Sequence, residues 1–161
     1  MVERPEVNLD QLYREVVMDH HRHPRGRAPL ERVDAHAEGF NPVCGDEVRV
    51  ALRLDGETLA GVHVEGRGCA ICTASGSIMA ELLPGRSLAD GERTGEAFRA
   101  VLHGASAPAG VELGDLEALE GVQRFPVRVK CALLPWVTFL EAIGSWRDNA
   151  APRAATTEEE S

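Results

Sequence analysis

The sequence predicts an α+β fold in which a small three-stranded antiparallel sheet is covered by helices. Three observations lead there. Glu47-Val48-Arg49-Val50-Ala51-Leu52-Arg53-Leu54 places Val48, Val50, Leu52 and Leu54 on one face, the period of a half-buried strand, and Leu59 to Glu65 alternates again through Val62 and Val64. Asp55-Gly56-Glu57 between them is a turn signal, so the two runs make a hairpin. On either side apolar residues recur three and four apart, the period of a helix. A chain of 161 residues is long enough for one domain with a core and short for two, so a single domain is expected over residues 1–147.

The elements follow in chain order. Asn8 or Asp10 is placed to cap a first helix through Leu12, Tyr13, Val16 and Val17 to about His20, and Pro24 and Gly26 end it. Ala35 to Phe40 reads as a shorter edge strand beside the hairpin, leaving a sheet with one face to cover. Beyond Cys69, the residues Ile71, Ala74, Ile78 and Leu82 form an apolar helical stripe that ends near Leu83, ahead of Pro84-Gly85-Arg86. Glu92 to Leu102 is a further helix with Phe98, Val101 and Leu102 inward. Gly104 to Gly110 is a loop, and Asp115 to Leu119 a short helical piece. Lys130 to about Trp146 carries Leu133, Leu134, Val137, Leu140 and Ile143, with Pro135 expected in or near the first turn, where its missing N–H costs least. Residues 148–161 have no apolar period and are expected to be a disordered acidic tail.

Composition narrows the function. A net charge of −9 offers no basic face to nucleic acid or to an acidic membrane. No apolar run approaches the roughly 20 residues that span a bilayer, and the first ten residues lack an apolar signal core, so a cytoplasmic, reducing location is expected. In such a compartment four cysteines point to metal or redox chemistry rather than to disulfides. His20, His21 and His23, contiguous at a helix end, read as residues facing carbonyls or solvent. His36, His63 and His103 read as surface or edge residues.

The cysteines come from three separated segments. Cys44 precedes the first hairpin strand and Cys69 follows the second, so antiparallel pairing brings both to one end of the sheet. Asp46 lies two residues from Cys44 and faces the same side of an extended segment. Cys69 sits at a helix N-terminus, where unpaired N–H groups and the dipole favour a thiolate, and Cys131 reads as the start of another helix. Cys44, Asp46, Cys69 and Cys131 therefore make a plausible zinc site. The Cys69-x-x-Cys72 spacing equally allows Cys44, Cys69, Cys72 and Cys131, and periodicity does not choose between Asp46 and Cys72.

Several motifs carry a resemblance that spans most of the chain: Leu12-Tyr13-Arg14, Met18-Asp19-His20, His23-Pro24-Arg25, Asn41-Pro42-Val43-Cys44-Gly45-Asp46, Gly66-Arg67-Gly68-Cys69-Ala70-Ile71 with Ala74-Ser75 and Ser77-Ile78-Met79, and Phe125-Pro126-Val127-Arg128-Val129-Lys130-Cys131. As a set they resemble the IscU/NifU-like iron–sulfur scaffold family, and within it the SufU-type zinc-dependent sulfurtransferases. The resemblance implies a SufE/NifU-like fold and a Zn2+ site at Cys44, Asp46, Cys69 and Cys131. Lys130 stands where IscU-type scaffolds usually carry histidine, and Pro84 to Gly104 looks like an insertion of the SufU branch. Cys72 departs from the pattern, since relatives more often have serine there, and it stays an alternative ligand.

The implied activity is transfer of persulfide sulfur from a PLP-dependent, SufS-type cysteine desulfurase to this protein, and onward to an iron–sulfur scaffold complex. Cys44 is the expected catalytic acceptor because it lies in a Pro/Gly-flanked loop, whereas Cys69 and Cys131 are fixed at helix starts. Arg128 and Lys130 are expected to steady the charge or to contact the desulfurase. Assembly of an iron–sulfur cluster on the same ligands and a structural zinc module are the alternative readings.

Overall fold

Alternation in the sequence becomes a three-strand meander, β1 (Ala35–Asn41), β2 (Asp46–Asp55) and β3 (Thr58–Arg67), each antiparallel to the next. The computed structural model describes residues 9–158 and 160. Register sets which side chains go inside. Ala35 and Ala37 of β1, Val48, Val50, Leu52 and Leu54 of β2, and Leu59, Val62 and Val64 of β3 are buried on one face. Four helices serve the core: α1 (Leu9–Arg22), α2 (Ala70–Leu82), α3 (Leu88–Leu102) and α4 (Pro126–Arg147). Of these, α4 lies on β1 and β2, and α2 fits between β3, α4 and α1. Trp136 of α4 anchors the far side, its ring 5.9 Å from Phe98 and 6.0 Å from Phe139, the latter edge-on at 82°.

The sheet has a fourth strand where three were expected. β4 (Ala155–Thr156) runs parallel to β1 at Gly39 and Phe40, giving the order β3-β2-β1-β4. It lies in the stretch expected to be a disordered tail, and Ala155, Thr157 and Glu160 of that stretch are buried. Two residues carry no detectable period, and their docking depends on partners about a hundred positions earlier, so local pattern could not report it.

Helix starts also differ from expectation. α3 begins four residues before Glu92 because the Ser87 hydroxyl accepts the Asp90 N–H and caps it. α4 begins at Pro126, whose fixed φ suits a first turn, rather than at Lys130. Cys131 consequently lies in the second turn of α4 and not at its N-terminus. Pro135 falls in the helix interior, where it lacks the N–H that would bond the Cys131 carbonyl four residues back. Residues 114–124 form a 3-10 run longer than the short helical piece predicted. Asp10 lies within α1 rather than ahead of it, and Asn8 falls outside the described residues.

One glycine controls how the chain reaches Cys69. Gly66 has φ +154°, and a Cβ there would collide with the Glu47 carbonyl oxygen, so only glycine lets the end of β3 lie this close to β2.

Candidate metal centre

The turn between β1 and β2 builds the first half of the site. Asn41 and Asp46 are register partners, and the Gly45 N–H donates to the Asn41 carbonyl at 2.8 Å with Gly45 at φ +75°. This turn leaves Cys44 exposed at its tip. Asn41 ends the inward alternation of β1 and Asp46 begins that of β2, so both side chains are buried at the end of the covered face. Two polar residues thus occupy positions that apolar ones fill elsewhere, and they satisfy each other: the Asn41 amide donates to Asp46 Oδ2 at 3.0 Å.

The second half comes from two helices. Cys69 is the N-cap residue of α2, and its own N–H donates to Asp46 Oδ1 at 3.1 Å, locking helix start to strand start. Cys131 of α4 is fully buried, with its Sγ 3.7 Å from Cys44 Sγ and 3.7 Å from the Asn41 amide nitrogen. Donor atoms of Cys44, Asp46 and Cys131 all lie within 4.8 Å of one another. Cys69 is not one of that trio and joins it through the bond from its N–H to Asp46. Two sulfurs and a carboxylate within that distance, with Cys69 beside them through its N–H to Asp46, are donors of the kind that suit a tetrahedral Zn2+, and the residues present fit that ion.

Protonation divides the four thiols. The hydrogen bond from Cys131, helped by the backbone N–H groups of Cys72 and Ile71 at the helix start, brings Cys69 down to about 6 despite burial and the nearby Asp46 charge. Cys131 goes the other way: it gives its proton to that hydrogen bond and burial adds to the upward shift. Cys72 is 3 % exposed, and burial first, then the charges of Asp46, Cys69 and Cys44, keep its thiol neutral. It stands outside the trio and lines a small cleft with Gly66, Gly68 and Ser77 instead. Asp46, unlike Cys72, thus belongs to the donor atoms that lie together.

The two basic residues predicted near the site part company. Arg128 faces the thiols: the Cys69 charge, then a hydrogen bond to Cys131, raises its pKa. Lys130 turns to the C-terminal segment, donating to the carbonyls of Thr157 at 3.0 Å and Glu158 at 3.3 Å. Tyr13 of α1 is half-buried close by, its hydroxyl pKa raised by burial against the opposing pull of Arg128.

His20 departs from its predicted place at a solvated helix end. It is 1 % exposed, with Nδ1 2.6 Å from the Ser77 hydroxyl and Nε2 3.2 Å from Asp115. Glu81 joins it within 4.8 Å, but the Arg25 guanidinium already pairs with Glu81 at 3.3 Å, so this group is a packed polar network joining α1 to α2. Asn41 is the site residue that sequence reasoning passed over. Its signal was present, a polar side chain closing the inward series Ala35, Ala37, Gly39.

Comparison with known proteins gives the family of the chain. The chain is 39% identical over 133 residues to the zinc-dependent sulfurtransferase SufU of Bacillus subtilis (strain 168), spanning 81% of this chain and 88% of that one. It is 36% identical over 135 residues to the iron-sulfur cluster assembly scaffold protein IscU of Streptococcus pyogenes serotype M1, with 84% of each chain covered. Among solved structures, a protein of Fervidobacterium islandicum AW-1 assigned to iron-sulfur cluster assembly scaffolding for the SUF system superposes with a TM-score of 0.76 at 32% identity, over 83% of this chain and 97% of that one. The family described as NifU-like N terminal domain matches residues 12–132, a span that contains every segment feeding the cluster and stops one residue past Cys131. The chain belongs to the NifU-like N-terminal domain family.

Proposed function

We propose that this protein accepts sulfane sulfur at Cys44 from a PLP-dependent cysteine desulfurase and delivers it to iron–sulfur cluster assembly, with Zn2+ held by Cys44, Asp46, Cys69 and Cys131. One contrast carries the reading: Asp46 and Cys131 are buried and hydrogen-bonded, whereas Cys44 stands exposed on a turn. An acceptor has to reach a persulfide on another protein, and only an accessible thiolate does so. The likeness to a SufU named as a zinc-dependent sulfurtransferase supports the same reading.

The step is a thiol exchange that balances without an external oxidant. Cys44 Sγ, as a thiolate, attacks the terminal sulfur of the donor persulfide. The donor S–S bond breaks, the donor cysteine leaves as a thiolate, and Cys44 carries the persulfide. Bound Zn2+ would supply the positive charge that keeps clustered thiolates deprotonated near neutral pH. Asn41 and the Cys69 N–H hold Asp46, and Arg128 offsets negative charge beside Cys69 and is the residue proposed to meet the partner. Val43, Phe125 and Val127, exposed and close in sequence to Cys44 and Cys131, supply apolar surface for that contact. Free thiols accord with a cytoplasmic location, and no helix among the described residues is long and apolar enough to cross a membrane.

A second reading rests on the IscU relative: the same thiolates hold a nascent iron–sulfur cluster. The deciding experiment follows alanine release by the desulfurase with and without the zinc-loaded protein. A several-fold rise, lost in Cys44→Ala and kept in Cys72→Ala, is expected. No rise with folded zinc protein, together with a brown chromophore after anaerobic reconstitution with iron, sulfide and thiol, would replace sulfur transfer by cluster scaffolding.

A further inference from the structure

Asn41 sits between the metal-site residues and the end of the chain. Its Oδ1 accepts the Val43 N–H at 3.2 Å and the Thr157 hydroxyl at 3.1 Å, while its amide nitrogen faces Asp46 Oδ2 and Cys131 Sγ. Two donors on the oxygen side fix which way the amide points. Flipped, it would set NH2 against the Val43 N–H and aim its oxygen at the Asp46 carboxylate. Thr157 is fully buried, so its hydroxyl has no water to turn to, and Asn41 is equally sealed.

The segment that carries Thr157 is held at three places. β4 pairs with β1, Lys130 donates to the Thr157 and Glu158 carbonyls, and the Glu160 carboxylate takes hydrogen bonds from Arg99 and His103 of the α3 end. These ties have no evident role in sulfur transfer. They hold a strap from α3 and α4 across the edge of the sheet, with Thr157 against Asn41.

We propose that Thr157 is a positioning residue of the metal centre, acting through Asn41, so that docking of the C-terminal strap sets how firmly the metal is held. This rests on the ligand set proposed above. With the strap in place, the Asn41 amide is committed to Asp46 and Cys131, and the two buried donors keep their spacing. Without the Thr157 hydroxyl the amide loses one of the two contacts that orient it, and both donors lose their common support. A partner that lifts the strap would thereby loosen the centre at the moment Cys44 has to react.

The test is zinc release from the full-length, zinc-loaded protein into excess chromophoric chelator, followed by stopped flow. Thr157→Val keeps the shape and removes the hydroxyl, and release several-fold and up to about tenfold faster is expected, at or below the low end for an outer contact of a metal ligand because Thr157 reaches Asp46 only through Asn41. Thr157→Ser restores the hydroxyl and is expected to stay within about twofold of the parent. Lys130→Met removes the fastening at the Thr157 and Glu158 carbonyls while leaving the Thr157 hydroxyl and the Asn41 side chain in the sequence, and is expected to shift the rate in the same direction. The visible spectrum of the Co2+-substituted protein should change in Thr157→Val and not in Thr157→Ser. Equal release from parent, Thr157→Val and Lys130→Met would overturn the proposal alone, as would Thr157→Ser behaving like Thr157→Val. One zinc per chain retained in a Cys131→Ser, Asp46→Ala double variant would overturn the ligand set and the proposal with it.

Discussion

Exchanging Asp46 for alanine, beside Cys72→Ala, separates the two donor sets that the sequence allows. Asp46 is 2 % exposed and takes the Cys69 N–H at 3.1 Å and the Asn41 amide at 3.0 Å. Alanine leaves both buried donors unmet, at about 1–3 kcal/mol each, partly offset by removing an anion from beside the thiols. The metal-free protein should lose about 2–4 kcal/mol in urea unfolding. Zinc affinity should fall by at least about 100-fold, or ~2.7 kcal/mol, because loss of a mere outer contact already costs 10–100-fold. Cys72→Ala removes one buried sulfur, about 1–2 kcal/mol of stability, and should leave zinc affinity within about threefold. Both quantities come from chelator competition and urea titration on the full chain. A Cys72→Ala protein that binds zinc more weakly than Asp46→Ala would refute the assignment of Asp46.

Three further expectations concern the frame around the centre. Gly66→Ala should cost about 2–3 kcal/mol in urea unfolding, since a side chain at φ +154° is strained and its Cβ meets the Glu47 carbonyl; a change under about 0.5 kcal/mol would show that β3 can shift. Ser77→Ala removes the group that contacts His20 Nδ1 at 2.6 Å and accepts the Arg25 N–H at 2.9 Å, so about 2–3 kcal/mol should be lost while zinc stoichiometry stays unchanged. Burial alone would raise the Glu160 carboxyl, but Arg99 and His103 together hold it below its ordinary value of 4.5. A depressed carboxyl contributes stability in full above its unfolded value and loses it as pH falls through the folded one. Urea midpoints should therefore fall more steeply in the parent than in Glu160→Gln below about pH 4.5, and equal slopes there would refute the assignment.

The hairpin and the corner it builds were legible because their causes are local. Alternation through Val48 to Leu54, the Asp55-Gly56 turn and the helical stripe after Cys69 each follow from side-chain period, and antiparallel pairing alone then sends Cys44 and Cys69 to one end. Helix starts were less legible. Ser87 and Pro126 are both good start signals, but apolar periodicity begins several residues after each, and the start was read from the stripe. His20 and Thr157 were out of reach for a different reason. Each owes its burial to a partner 57 or 116 positions away, Ser77 or Asn41, and no short-range pattern encodes such a pairing.

The four cysteines show how one residue type takes four characters from position alone. Cys69 lies at a helix start with N–H groups aimed at it and becomes the acidic thiol; Cys131, in the second turn of α4, lies past the free N–H groups of its helix and keeps its proton. Cys72, one turn into α2 and buried among anionic neighbours, stays neutral and off the centre. Cys44 alone is carried outward, by a turn whose Gly45 adopts a left-handed φ. Rigid holders and a reachable acceptor are opposite demands on a site this small. The proposed acceptor, Cys44, hangs exposed on a turn between two buried strand ends, while Asn41 and Asp46 at its base are hydrogen-bonded to each other.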